Sequence, residues 1–166
     1  AAAPTAGLHL SQKLLDAFTS SGIQTAYVTL QVSYDTFLPV REINIEDHKI
    51  HGEQIVMPEN TANMINKAHE EGRRVIAVGT TSVRVIESSS NGNKCIPKKG
   101  ITRLFITPGY EFKSVDGMLT NFHRPRSTLL ALVSAFAGLD LIKAAYDEAI
   151  KNEYRLFSYG DAMLIL

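Results

Sequence analysis

Residues 74–88 read RVIAVGTTSVRVIES. After Arg74 the run Val75-Ile76-Ala77-Val78 is continuously apolar, the pattern of a strand buried on both faces of a parallel sheet. It passes directly through Gly79-Thr80-Thr81-Ser82 into a helix expected to reach about Ser88. A strand that turns at once into a helix is the repeating step of an α/β fold.

The same step recurs at residues 118–138, MLTNFHRPRSTLLALVSAFAG. A short apolar strand (118–121) enters the polar corner 120–128, where amide, imidazole, guanidinium and hydroxyl groups crowd together. Pro125 disfavours helix at Arg124, and Ser127 or Thr128 can cap the helix that follows. Leu129, Leu130, Leu132, Val133, Phe136 and Ala137 cover most of that helix, so it must be largely buried.

Other elements are expected around these two. Leu10, Leu14, Leu15 and Phe18 give residues 8–20 an apolar stripe at helical spacing. Residues 25–32 alternate as a strand, 54–57 form a short one, and Pro58 opens a helix to about Glu71. The stretch 88–100, SSSNGNKCIPKKG, reads as a flexible surface loop, and 103–107 as a strand. A helix over about 140–152 follows a break at Gly138, and AMLIL at the end reads as a strand. The expectation is one α/β domain over residues 1–166, with a mostly parallel sheet flanked by helices. Ligands of such sheets lie beyond the carboxyl ends of the strands, so Thr80-Thr81-Ser82 and the 121–127 corner can face one crevice.

Composition narrows the class. At 166 residues the chain can bury roughly 70% of its unfolded surface in one core. Lys plus Arg equals Asp plus Glu, 17 against 17, so nucleic-acid binding would need a local patch rather than a global field. The single cysteine, Cys95, excludes an internal disulfide and a cysteine zinc cage, and suits a reducing cytoplasm. No apolar run reaches the ~18 residues of a membrane span. The opening AAAPTAGLHL lacks an initiating Met and reads as an active-site segment, the expectation being a portion of a longer protein.

Several groups invite chemistry. Gly79-Thr80-Thr81-Ser82 offers backbone N–H groups and hydroxyls at a helix start, suited to a carboxylate, but lacks a P-loop lysine or a GxGxxG run. His48-x2-His51 with Glu53 is the best metal-like spacing, yet acid–base work ranks above metal there. Ser127, His123 and Asp116 have the residue types of a hydrolase triad without the GxSxG elbow or a known order, which excludes that class. Asp161 follows Gly160 at the lip of the last strand, in a turn first and a site second, where Gly160 permits an unusual backbone angle.

Separated stretches of the chain resemble one family in the right order. AAPTAGLH, TFxPV, EDHKxHxE, VGTTSVR, LFIxPGYxF, VDxxxTNFHxPxSTLL, LVSAFAG and YRxFSYGDAMLIL are all similar to those of the S-adenosylmethionine:tRNA ribosyltransferase-isomerases of queuosine biosynthesis. The resemblance implies a longer protein, with an N-terminal part and an inserted β-barrel beyond this chain. It implies that the ribosyl group of S-adenosylmethionine is isomerised and joined to 7-aminomethyl-7-deazaguanine at the wobble position of a tRNA with a GUN anticodon. Adenine and methionine leave, and S-adenosylmethionine serves as substrate rather than cofactor.

That chemistry needs a base beside the sulfonium, an acid near adenine and a pocket that excludes water. By residue type the candidates are His51 with Glu53, His9, His123 and Asp161. The matching stretches mark Thr5, Gly7, Thr36, Phe37, Gly79, Thr80, Thr81, Ser82, Arg84 and Tyr110 for substrate binding. They also mark Asn121, Phe122, Arg126, Ser127, Thr128 and Tyr159, with no metal site. The chain departs from the family pattern at Tyr34-Asp35, where a glycine turn is usual, at Gly52 in place of Ser, and at Arg124 in place of an apolar residue. Two alternatives go with this reading: a catalytically silent RNA-binding or scaffold fragment, prone to dimerise or swap strands, and an enzyme acting on a non-tRNA nucleoside.

Overall fold

In the computed structural model the chain is described over residues 4–33, 39–42, 44–157 and 160–166, apart from the side chain of Glu46. A 3-10 turn at Thr5–His9 precedes α1 (Gln12–Ser20) and β1 (Thr29–Gln31), and a second 3-10 turn lies at Ile45–Asp47. Then come β2 (Glu53–Met57), α2 (Glu59–Glu70), β3 (Ile76–Val78) and α3 (Thr80–Ser88). The short strands β4 (Ser90–Asn91) and β5 (Lys94–Cys95) lead to β6 (Lys98–Thr102). The chain finishes through β7 (Gly117–Asn121), α4 (Thr128–Ala137), α5 (Leu139–Lys151) and β8 (Ala162–Ile165).

The two strand-to-helix steps meet side by side. β3 runs parallel to β7, with Ala77 opposite Met118, and β8 pairs antiparallel on the other side of β7. A second sheet, β1-β2-β6, is antiparallel throughout. The α/β architecture therefore stands, but the expected mostly parallel sheet does not. Among the described residues β3–β7 is the one parallel ladder: β8 returns antiparallel after the α4–α5 pair, and β2 takes antiparallel partners on both sides.

The core lies between these sheets and α3 to α5. Val83 and Val85 of α3, Met118 of β7, and Leu132 and Val133 of α4 are at most 1% exposed. Each such side chain contributes about 1.5–3 kcal/mol relative to exposure. Ser127 caps α4, accepting from the Leu130 N–H at 3.1 Å and donating to the Arg124 carbonyl at 2.8 Å. At Gly138, with φ +86°, the chain leaves α4 and enters α5, and the two helix axes are bent by 113°. No single helix among the described residues is long and apolar enough to cross a membrane.

Four differences from the sequence reading emerge. The stretch 88–100 is ordered: Asn91 pairs with Lys94 across Gly92-Asn93, and the Asn66 side chain accepts from the Cys95 N–H and donates to its carbonyl, both at 2.8 Å. A two-residue loop with Gly first, here Gly92 at φ +58° followed by Asn93, is a hairpin signal, masked by its polar flanks. The strand expected at 103–107 falls instead at β6, which finds a partner in β2. The stripe expected to bury residues 8–20 does not do so. Ser11 starts α1, none of its residues is buried, and Leu14 is 38% exposed while Leu15 and Phe18 are half-buried. Gly160 is needed for closeness rather than for positive φ, because a Cβ there would overlap the Arg155 carbonyl.

Glu87, in the last turn of α3, is a buried carboxylate that the sequence reading passed over. It accepts backbone N–H bonds from Lys113, Ser114 and Val115 at 3.0–3.1 Å and the Tyr110 hydroxyl at 3.1 Å. This ties the 110–115 segment to the helix. Burial and Glu87 also raise the Cys95 thiol to about 11. We expect Cys95 to resist a thiol reagent such as DTNB at pH 8 in the native protein and to react fully in denaturant. Rapid native labelling would contradict the burial.

Candidate active site

A cavity of about 380 Å3 opens at the carboxyl ends of β3 and β7. The turn into α3 supplies Gly79, Thr80 and Thr81, and the end of β7 with the corner beyond it supplies Thr120 to Pro125 and Ser127. The first 3-10 segment adds Pro4, Thr5 and Ala6, while Val32, Pro39, Leu129 and Phe157 complete the wall. Gly79 sits at φ +87° with its N–H bonded to the Leu119 carbonyl at 2.8 Å, which docks the turn against β7. A side chain there would be strained whatever the space.

Asn121 joins the walls. Its Nδ2 donates to Thr5 Oγ1 at 3.0 Å, and its Oδ1 lies 2.7 Å from His9 Nε2. With the amide so oriented, His9 carries the proton on Nε2, and Thr5 accepts from Asn121 while keeping its own O–H to donate. His123 Nε2 lies 3.0 Å from the Thr120 hydroxyl, and its backbone N–H donates to the Tyr146 hydroxyl at 2.7 Å. Burial pushes the His123 imidazole down to about 4, so it is neutral at pH 7. Arg124 stacks over the Phe157 ring, 4.9 Å from its centroid, and is the formally charged side chain on the wall among the described residues.

The His123 shift has a sign for stability. The unfolded imidazole takes up its proton near pH 6.5, the folded one only near 4. Between those values the unfolded state binds more protons, so stability falls as pH drops through that window. The melting temperature should decline from pH 6.5 to 4 less steeply in His123→Gln than in the unaltered chain; identical slopes would refute the assignment.

Behind the wall, Glu53 and Arg84 form a buried ion pair between Oε2 and Nη1. Glu53 Oε1 accepts the Ser33 N–H at 2.9 Å, and Arg84 Nε donates to the Leu104 carbonyl at 3.2 Å. Arg84 Nη2 is buried without an acceptor among the described residues.

Of the residues singled out in the sequence, Thr5, Gly79, Thr80, Thr81, Asn121, Phe122, His123 and Ser127 line the cavity. His9 reaches it through Asn121, and Thr128 is buried in the first turn of α4. The structure places others elsewhere. Ser82 donates back to the Val78 carbonyl at 2.8 Å, and Tyr110 is held by Glu87. Asp161 accepts the Arg155 N–H at 2.8 Å and braces its own turn. His51 and Gly7 are exposed and off the cavity wall. Arg126, at φ +54°, is exposed, and its carbonyl accepts the Val40 N–H. Thr36, Phe37 and Tyr159, with Tyr34 and Asp35, lie outside the described residues. Val32, Pro39 and Phe157 were missed, having no chemical signal of their own.

The family model described as queuosine biosynthesis protein matches residues 1–165. The chain belongs to that family. A relative named S-adenosylmethionine:tRNA ribosyltransferase-isomerase, from Caldanaerobacter subterraneus subsp. tengcongensis, is 53% identical over 100% of this chain and 49% of its own length. One of the same name from Natranaerobius thermophilus is 54% identical, covering 99% of this chain and 48% of its own length. The crystal structure of an S-adenosylmethionine tRNA ribosyltransferase from Thermotoga maritima superposes with a TM-score of 0.81 at 43% identity, over 97% of this chain and 51% of that one. The chain thus spans about half the length of the curated relatives it matches. Three of the family-like stretches, PTAGLH, GTTS and TNFHRPRS, converge on this cavity.

Proposed function

We propose that the cavity binds S-adenosylmethionine and serves transfer of its ribosyl group, with isomerisation, onto 7-aminomethyl-7-deazaguanine at the wobble position of a GUN-anticodon tRNA. Epoxyqueuosine in tRNA is the product, and adenine and methionine depart. The observation that carries this reading is the bond between Asn121 and Thr5, which closes one pocket from family stretches 116 residues apart.

In this reading Thr5 and Asn121 hold the ribose hydroxyls, and the backbone at Gly79 to Thr81 receives the methionine carboxylate at the start of α3. His123 is on the cavity wall and neutral at pH 7, so its imidazole is unprotonated and can take the proton released beside the sulfonium, as a base that burial weakens. His9 holds the Asn121 amide in place rather than meeting the substrate. S-adenosylmethionine is consumed as donor, so no separate cofactor or metal enters, and a cytoplasmic location follows from the tRNA substrate.

The test is direct. The chain, alone and with the remaining half of the Caldanaerobacter relative supplied in trans, is incubated with S-adenosylmethionine and a tRNA carrying the deazaguanine amine. Adenine and methionine should appear in step with a modified nucleoside. Release of neither, with tRNA still bound, would replace this reading with a silent RNA-binding role.

A further inference from the structure

We propose that Glu53 and Arg84 are positioning residues, whose buried ion pair holds the Ser33 amide and thereby the adjoining Val32 wall of the cavity in the geometry that binds the nucleoside. The inference rests on the functional reading above for its ligand, but not for its geometry.

Glu53 and Arg84 are 2% and 4% exposed, and neither lines the cavity. Their bonds link separate parts of the chain: Ser33 just beyond β1, Glu53 at the head of β2, Arg84 on α3 and the Leu104 carbonyl. Arg84 stands three and four residues after Thr81 and Thr80, on the face of α3 that these two present to the cavity. Val32, next to Ser33, is 5% exposed and forms part of the wall.

An apolar pair of similar volume is often as stable as a buried ion pair, or more so. What such a pair lacks is an acceptor for the Ser33 N–H and a donor for the Leu104 carbonyl. The polar pair therefore supplies geometry that packing alone does not.

Two double variants separate these roles. Glu53→Gln/Arg84→Gln keeps an acceptor for Ser33, whereas Glu53→Leu/Arg84→Met removes it, and neither leaves a lone buried charge. Affinity for S-adenosylmethionine is measured by calorimetry, folding by circular dichroism, and Ser33 amide exchange by mass spectrometry. The Gln pair should bind within about threefold of the unaltered protein with Ser33 protected; the Leu/Met pair should lose about tenfold and exchange faster. A folded Leu/Met protein with unchanged affinity and protection overturns the proposal.

If that protein fails to fold, replacing Ser33 by its α-hydroxy acid, which turns the Val32–Ser33 amide into an ester, deletes the donor without the backbone restriction that proline would impose on Val32. The same loss is then expected, and unchanged affinity refutes the clamp. If the unaltered protein binds no S-adenosylmethionine, the functional reading falls, while the Ser33 exchange contrast still decides this one.

Discussion

Asn121→Ala is expected to lower turnover of S-adenosylmethionine about tenfold to a hundredfold, the scale on which loss of substrate positioning acts. Asn121 is 5% exposed at the end of β7 and uses both ends of its amide, one on Thr5 and one on His9. Alanine would leave the Thr5 hydroxyl and the His9 N–H without that partner at the cavity wall. The first 3-10 segment packs against β7, so its hold on the pocket would loosen along with the lost contact. The loss corresponds to roughly 1.4–2.8 kcal/mol of barrier. Steady-state assay with tRNA as acceptor, beside a thermal melt, gives the comparison. Turnover at the unaltered rate from a folded variant would remove Asn121 from the site.

Glu53→Ala should destabilise the fold by about 3–5 kcal/mol, because it strands the Arg84 guanidinium in the core without its counter-charge. Arg84 already has one nitrogen unmatched among the described residues, so little remains to compensate it. For a domain of this size the loss corresponds to a fall in melting temperature of about 10 °C or more. Arg84→Met added to Glu53→Ala should recover part of that loss by removing the stranded charge. Non-recovery in the double variant would mean that packing around Glu53, not charge balance, sets the cost.

These two residues show how differently a site can be read from a chain. Asn121 stands in a polar corner between a strand and a buried helix, and both its neighbours and its family-like motif mark it. Glu53 carries the same chemical label as any carboxylate. Its residue type suggested acid–base work beside His51, yet its carboxylate turns inward to Arg84 while His51 stays exposed. Tyr110 was marked by its motif in the same way, but its hydroxyl is held by Glu87 on the far end of α3. Val32, apolar and outside every family-like stretch, had nothing to announce it as cavity wall, and Phe157 had only its place in the stretch 154–166.

Local patterns determined the strand-to-helix steps, the Ser127 cap, the break at Gly138 and the family, because each depends on residues adjacent in the chain. Which way β1, β2 and β6 pair, whether the stripe on α1 is covered, and where Glu53, Tyr110 and Asp161 point were decided only in the tertiary structure. The reason is physical. A side chain's partner across 31 or 116 residues depends on how whole elements pack, and no periodicity within one element encodes that.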